Sequence, residues 1–433
     1  MQSMRPPDRP VDQASPAHAD NAVSAGVAVP PNRAPGSRSL LWAIVLGHAV
    51  KHVFASGFFI LLPEIKASLA LSNTGLGAFS TVRSIAGGVS NVPSGFFAER
   101  YTKHFSPMLA GVLVFIGVFQ FALARSVNIV DATIYASLTS MLFTAYHPPA
   151  LGVLSRVYYD RRGLAISLHG TGASIGETLG PLLAGALLIV MSWRTVLEVG
   201  FIPLAVTALV LWLLTRRFRM ESGSSTVADY VRGFAGLAAS PQMLLVLATA
   251  GAFAAAQSAI FTFLPVYVRE DLGKSTFTVG VYVTLAQAVG IGAQPLMGYL
   301  LDKIGRWTVI VPALFGLAGA LFTLYATGEG LLFLIGLGVA GAFLFSTTAL
   351  LVAAACDVGG DNVQATTVSI IYGGISVFTA LGPLVSGFVA DAYGVRSVFL
   401  YAGAMAALAA GLGLVAGYVR RRYGRSQAPI FAG

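Results

Sequence analysis

Charge is scarce in this chain: Asp, Glu, Lys and Arg make up 10% of its 433 residues, against about a quarter in soluble domains. So few charges cannot coat a water-facing surface of this size, which excludes a soluble globular domain and leaves lipid to cover much of the protein. The single cysteine, Cys356, excludes a disulfide framework and a cysteine metal site; it reads as a small buried apolar residue. No Gly-x-x-x-x-Gly-Lys-Ser/Thr run occurs, so ATP is not the direct energy source. His-Glu-x-x-His, Gly-x-Ser-x-Gly and an intramembrane carboxylate pair are also missing, which argues against an intramembrane enzyme. Residues 1–38 have no apolar stretch of the signal-peptide kind and read as a disordered cytoplasmic tail. The net charge of +9 does not indicate nucleic acid, because the basic residues fall in short clusters between apolar runs.

Apolar length is what the chain has: 56% of it is hydrophobic, and a spanning helix needs about 20 mostly apolar residues. Twelve such runs can be read, Leu40–Leu62, Thr74–Ala98, Ser106–Leu123, Ala132–Tyr158, Gly163–Val190, Trp193–Thr215, Pro241–Val268, Thr276–Leu301, Thr308–Thr327, Gly330–Ala355, Val363–Ala390 and Val395–Val419. The 49 glycines suit helices that pack closely in lipid. With the N-terminus placed inside, 19 Lys and Arg lie in cytoplasmic segments and six outside, while Lys51 and Arg83 fall within helices. That bias puts both termini in the cytoplasm, with Glu64, Asp131, Glu198 and Glu270 near the outer surface as solvated charges.

The chain also repeats itself. Gly95-Phe96-Phe97-Ala98-Glu99-Arg100 ends the second run, and Gly298-Tyr299-Leu300-Leu301-Asp302-Lys303 ends the eighth, 203 residues later. Leu179-Gly180-Pro181-Leu182-Leu183-Ala184-Gly185 recurs as Leu381-Gly382-Pro383-Leu384-Val385-Ser386-Gly387, 202 residues later. The expected architecture is an all-α membrane protein of twelve transmembrane helices in two six-helix pseudo-repeats. Residues 39–215 form the first half, 216–240 a cytoplasmic linker, 241–420 the second half and 421–433 a cytoplasmic tail.

These motifs resemble the major facilitator superfamily over nearly all of residues 40–420. Gly298-x-x-x-Asp302-Lys303-x-Gly305-Arg306 is similar to that family's loop motif, and Gly95, Glu99 and Arg100 are its altered first-half copy. The resemblance implies a latch between the halves: glycine allows close packing and the acid faces the positive end of a neighbouring helix. Gly176-x-x-x-Gly180-Pro181-x-x-Ala184-Gly185 resembles the fifth-helix motif of the superfamily's antiporters. Gly172, Gly176 and Gly180 recur every four residues and give one smooth face for a partner helix; Gly382 and Pro383 are the second-half counterparts. Tyr146-His147-Pro148, followed by Arg161-Arg162-Gly163, resembles fosmidomycin-resistance-type efflux proteins, with Pro149 where an acidic residue is common.

Ionisable groups in the bilayer core are costly and are candidate sites by default. His48, Lys51 and His52 share one helix face by their spacing, with Lys51 roughly 16 Å in from Leu40 at 1.5 Å per residue. Arg83, His147, His169 and Glu177 join them, all in the first half. Glu177, the one acid deep in a run, is the expected proton-coupling group, aided by His169. His48, Lys51, His52, Arg83 and His147 are the expected substrate-binding residues, Arg83 as a planar fork for a carboxylate, phosphate or phosphonate. The alternatives are that Lys51 pairs with Glu177, that His147 satisfies carbonyls freed by Pro148 and Pro149, that His169 is interfacial, and that Arg83 bonds helix carbonyls. Gln120, Gln257, Gln287, Gln294 and Tyr372 are further cavity candidates.

The resulting expectation is a monomeric secondary transporter of a bacterial inner membrane. It needs no cofactor or metal and no nucleic-acid partner, and it exchanges protons for a small, anionic drug or metabolite. Proton-coupled import of a small organic anion is the alternative.

Overall fold

A computed structural model describes residues 37–158, 161–218, 220, 240–359 and 364–423. The tails beyond them, most of the linker, and the side chains of Glu99, Cys356 and Tyr372 lie outside the described residues, so the expectations placed on them do too.

The described elements are helical. They are α1 (Ser37–Ser68), α2 (Asn73–Val89), α3 (Asn91–Arg100), α4 (Phe105–Ala124), α5 (Ile129–Ala145), α6 (His147–Val157), α7 (Arg162–Val190) and α8 (Trp193–Thr215), then α9 (Pro241–Val266), α10 (Thr276–Ile304), α11 (Arg306–Thr327), α12 (Leu331–Gly359), α13 (Gln364–Tyr393) and α14 (Val398–Tyr423). Among the described residues, nine helices are long and apolar enough to cross a membrane.

Two of the apolar runs are not continuous helices, and proline is the reason. A proline at position i offers no N–H to the carbonyl four residues back and clashes with it. Pro93 therefore ends α2 at Val89, and Ser90 Oγ takes the bend by donating to Gly87 O at 2.8 Å and Met141 O at 3.1 Å. Pro148 and Pro149 likewise end α5 at Ala145 and restart the helix as α6.

The sequence repeat is also a repeat of contacts. α1 lies along α7 as α9 lies along α13; α4 pairs with α8 as α11 does with α14; α2 pairs with α5 as α10 does with α12. The same residues meet in both sets: Gly180 abuts Ser56 and Val53 O, and Gly382 abuts Ser258 and Ala255 O. Between the sets α2 packs on α13 and α7 on α10, with Gly77 against Pro383 O, Gly280 against Pro181 O, Gly185 against Thr276 and Gly387 against Asn73 and Thr74.

At one end the two sets are tied by charge. Arg269 donates to Glu64 at 2.8 Å and Lys66 to Glu270 at 2.5 Å, and Asp391 of α13 accepts from the amides of Asn73 and Thr74 at the start of α2, at 2.9 and 2.8 Å. This is the end the charge bias assigns to the outside. The acids there are at the solvated surface and also paired: Glu198 binds Arg125 at 2.7 Å and Asp131 accepts from Asn128 at 2.9 Å.

At the other end the latch motif stays within the second set. Arg306 bonds Asp302 at 2.7 Å and Asp357 of α12 at 3.1 Å, and Arg420 of α14 bonds Asp357 at 2.9 Å. Gly305, at φ +95°, ends α10 and allows that turn. Among the described residues Arg306 finds its partners, Asp302 and Asp357, within the second set, and no ion pair joins the motif to the first. Among the described residues a Cβ on Gly95 or Gly298 would meet nothing within 4 Å. Lys303 lies over the Tyr299 ring, at 5.5 Å, and Arg100 is exposed.

Candidate functional site: a histidine string and a free arginine

The glycine face of α7 builds the site. A Cβ on Gly176 would lie 2.8 Å from His52 Cβ and 2.9 Å from Val53 N, and one on Gly172 would lie 2.8 Å from Val45 O. Only bare backbone lets α7 come this close to α1. That approach brings the polar face of α1 against the one acidic side chain of α7.

There His52 Nδ1 faces Glu177 Oε1 at 3.1 Å. On its other side His52 Nε2 meets His48 Nε2 at 3.1 Å, and His48 Nδ1 meets the carbonyl of His169 at 2.8 Å. A carbonyl only accepts, so His48 Nδ1 carries hydrogen. The remaining two contacts, His48–His52 and His52–Glu177, each need a hydrogen as well. Two neutral imidazoles supply two hydrogens for three bonds. The string is complete only with one further proton, on His52, on His48 or on Glu177.

Lys51 is 1% exposed and does not pair with Glu177. Its ammonium donates to Phe143 O at 2.8 Å and to His147 Nε2 at 2.9 Å. Phe143 lies in the last turn of α5, where carbonyls lack intrahelical partners; Lys51 takes this one, and His147 Nε2 meets Lys51. The Tyr146 ring lies 5.6 Å from the ammonium, and the Tyr146 hydroxyl donates to Ile44 O at 3.0 Å.

His169 is not interfacial: it is 3% exposed and stacked on His48 at 3.6 Å. Among the described residues neither of its buried ring nitrogens has a hydrogen-bond partner, and its ring does not bond Glu177, whose partner is His52. His48, His147 and His169 bring one nitrogen each within 4.8 Å of one another. That set fits a metal poorly. The His48 and His169 rings are parallel, 4° apart, so their in-plane lone pairs cannot converge on one ion, and the Lys51 ammonium already occupies His147.

Arg83 stands apart from this cluster. Its guanidinium lies over the rings of Phe58 and Phe59, at 4.5 and 5.4 Å, and among the described residues no carboxylate or carbonyl partners it. Phe59 continues to Phe261 of α9 at 5.6 Å, and Phe261 to Phe345 of α12 at 5.4 Å. The structure thus divides the expected binding residues in two: His48, Lys51, His52 and His147 are engaged with one another, and Arg83 is free. Gln257 and Gln294 donate to Leu344 O and Phe345 O at 2.7 and 3.1 Å, whereas Gln120 and Gln287 are buried on α4 and α10. Sequence reading missed the phenylalanines, Asp357 and Asp391. Nothing marks one phenylalanine out among 27; the two aspartates lie at helix ends, where an acid is ordinary.

Membrane-length helices in two repeated sets, with titratable groups buried between helices, define a multi-pass membrane transporter and not an enzyme. The chain belongs to the major facilitator superfamily, whose family model matches residues 44–360. It is 25% identical over 302 residues to the fosmidomycin resistance protein of Escherichia coli (strain K12), covering 68% of this chain and 72% of that one. It is 24% identical over 400 residues to the hexuronate transporter of Bacillus subtilis (strain 168), covering 84% of this chain and 91% of that one. In fold it is similar to a bacterial homolog of the human lysosomal transporter Spinster, solved inward-facing and unoccupied. The TM-score is 0.77 at 16% identity, over 92% of this chain and 99% of that one.

Proposed function

We propose that this protein is a proton-coupled antiporter that exports a small anion by alternating access. The observation that carries this reading is the string His48–His52–Glu177, which lacks one proton in its neutral-imidazole, carboxylate form. Such a group is a proton binding site by its hydrogen-bond count. The antiporter-like glycine face of α7 is what packs against α1 at this string. Arg83, half-buried and without an anion among the described residues, supports an acidic substrate, because an uncompensated cation in a membrane span is unfavourable until something negative completes it. Ties at the outer end, together with open Gly95 and Gly298 at the other, correspond to an inward-open state. Exchange then proceeds by proton release from the Glu177 pair to the inside and anion capture at Arg83.

The reading places twelve spans in the bacterial inner membrane, counting the broken pairs α2–α3 and α5–α6 and the helix α13 with the nine. Two six-helix halves join through the cytoplasmic linker, both termini are cytoplasmic, the working unit is a monomer, and the proton gradient is the energy source. Fosmidomycin, which the Escherichia coli relative's name gives as the drug resisted, is a phosphonate and fits the acidic class. The second reading, proton-coupled import of a small organic anion, is favoured by the long match to the hexuronate transporter.

Purified protein in proteoliposomes tests both. An imposed proton gradient should drive uptake or release of a labelled phosphonate or hexuronate, and the direction of net flux decides between the readings. Glu177→Gln should abolish gradient-driven flux while sparing substrate counterflow. Unchanged gradient-driven flux in Glu177→Gln would remove the carboxyl from the coupling.

A further inference from the structure

We infer that the anion this protein moves carries an aromatic ring next to its acid group. This rests on the anion reading above and narrows it.

The argument starts from where Arg83 points. Its charge sits on the faces of Phe58 and Phe59. Among the described residues only ring faces hold this cation, which keeps its N–H donors for a ligand. Phe58 is buried, but Phe59, Phe261 and Phe345 are each only partly covered. Together they form a line of rings that begins beside Arg83 and crosses from the first set of helices to α9 and α12 of the second.

The rings in that line do not close on each other. Phe59 and Phe261 are tilted by 50°, and Phe261 and Phe345 by 32°, at centroid spacings where each ring still offers a face or an edge to a third partner. Gln257 and Gln294 direct their amide N–H groups onto the α12 carbonyls of Leu344 and Phe345. Their bonds fix the Phe345 backbone and take those donors away from a ligand.

A charge at one end and partly covered rings beyond it complement a molecule with the same layout: carboxylate, phosphate or phosphonate on a planar apolar body. A short aliphatic acid would satisfy Arg83 and leave the rings unused. A sugar acid would bring hydroxyls against phenyl faces that cannot bond them.

The test measures dissociation constants of phenylphosphonate, methylphosphonate and benzyltrimethylammonium on the purified full-length protein, with Arg83→Gln, Phe261→Ala and Phe345→Leu variants. Phenylphosphonate should bind about tenfold more tightly than methylphosphonate. That ratio should fall towards one in Phe261→Ala, and in Phe345→Leu should Phe261→Ala fail to fold. Arg83→Gln should weaken both phosphonates. Equal affinity for the two phosphonates in the wild type overturns the aromatic assignment and leaves the anion reading standing. So does an equal loss for both in the phenylalanine variants, the result expected of rings that only close the passage. Binding of benzyltrimethylammonium in place of both phosphonates, or phosphonate binding indifferent to Arg83→Gln, overturns the anion reading itself.

Discussion

His52 Nδ1 and Glu177 Oε1 face each other at 3.1 Å across the α1–α7 contact, and the proton between them is not supplied by a neutral imidazole that already donates to His48. By that hydrogen-bond count the string should hold about one extra proton per protein molecule. Proton uptake by detergent-solubilised protein, read with a pH-sensitive dye, should lose that proton in Glu177→Gln. It should lose it also in His52→Phe, which keeps a ring and removes both nitrogens. Wild-type uptake in both variants would place the coupling proton elsewhere.

The α1–α7 approach depends on glycine at position 176. Gly176→Ala puts a Cβ into Ala49 O and His52 Cβ, and overpacking of this kind costs about 1–3 kcal/mol. Gly298→Ala meets nothing within 4 Å and should change stability by no more than about 0.5 kcal/mol. Thermal unfolding of the two purified variants should separate them clearly. Equal melting temperatures would mean that α1 and α7 are not held at this distance in the membrane.

Asp391 holds the outer ends together by capping α2 from the other set of helices, at 2.9 and 2.8 Å. Removing a cap carboxylate costs about 0.5–2 kcal/mol, and this cost falls only on the state in which α13 and α2 touch here. Asp391→Ala should thus shift the inward-open to outward-open ratio by roughly two- to thirtyfold towards outward-open. Spin labels at Ala70 and Ala392, in a Cys356→Ser background, should report a longer outer-end distance in the variant. An unchanged distance distribution would make the cap incidental to gating.

The charge bias and the twelve-span reading together require an internal C-terminus. A reporter fused after Arg422 should behave as cytoplasmic, and one inserted after Ala70 as external. An external signal from the first would mean that one apolar run does not cross.

Much of this was legible in sequence because lipid constrains a chain so strongly. Every apolar run of spanning length had to satisfy its own backbone as helix, and the described residues of these runs are helical, two of the runs being broken at proline. The offset between Gly180-Pro181 and Gly382-Pro383 already implied paired contacts, and the i, i+3, i+4 spacing of His48, Lys51 and His52 fixed a shared face. Pro93, Pro148 and Pro149 were visible too, and with them the carbonyls left without a helix donor, Val89, Thr144 and Ala145. That Lys51 takes Phe143 O was not, because it depends on how α5 ends against α1. The partners of charge were likewise decided in three dimensions. Glu177 could have met Lys51, one residue from His52 on the same helix, and the rotation of α7 about its glycine face gives it to His52. Arg83 shows the same limit from the other side: sequence placed a cation at mid-depth, but only packing against α1 lays it over Phe58 and Phe59 and, among the described residues, leaves its donors open. Helix identity follows from local hydrogen bonding and length, which a chain carries with it; side-chain partnership follows from helix approach and rotation, which only the assembled bundle sets.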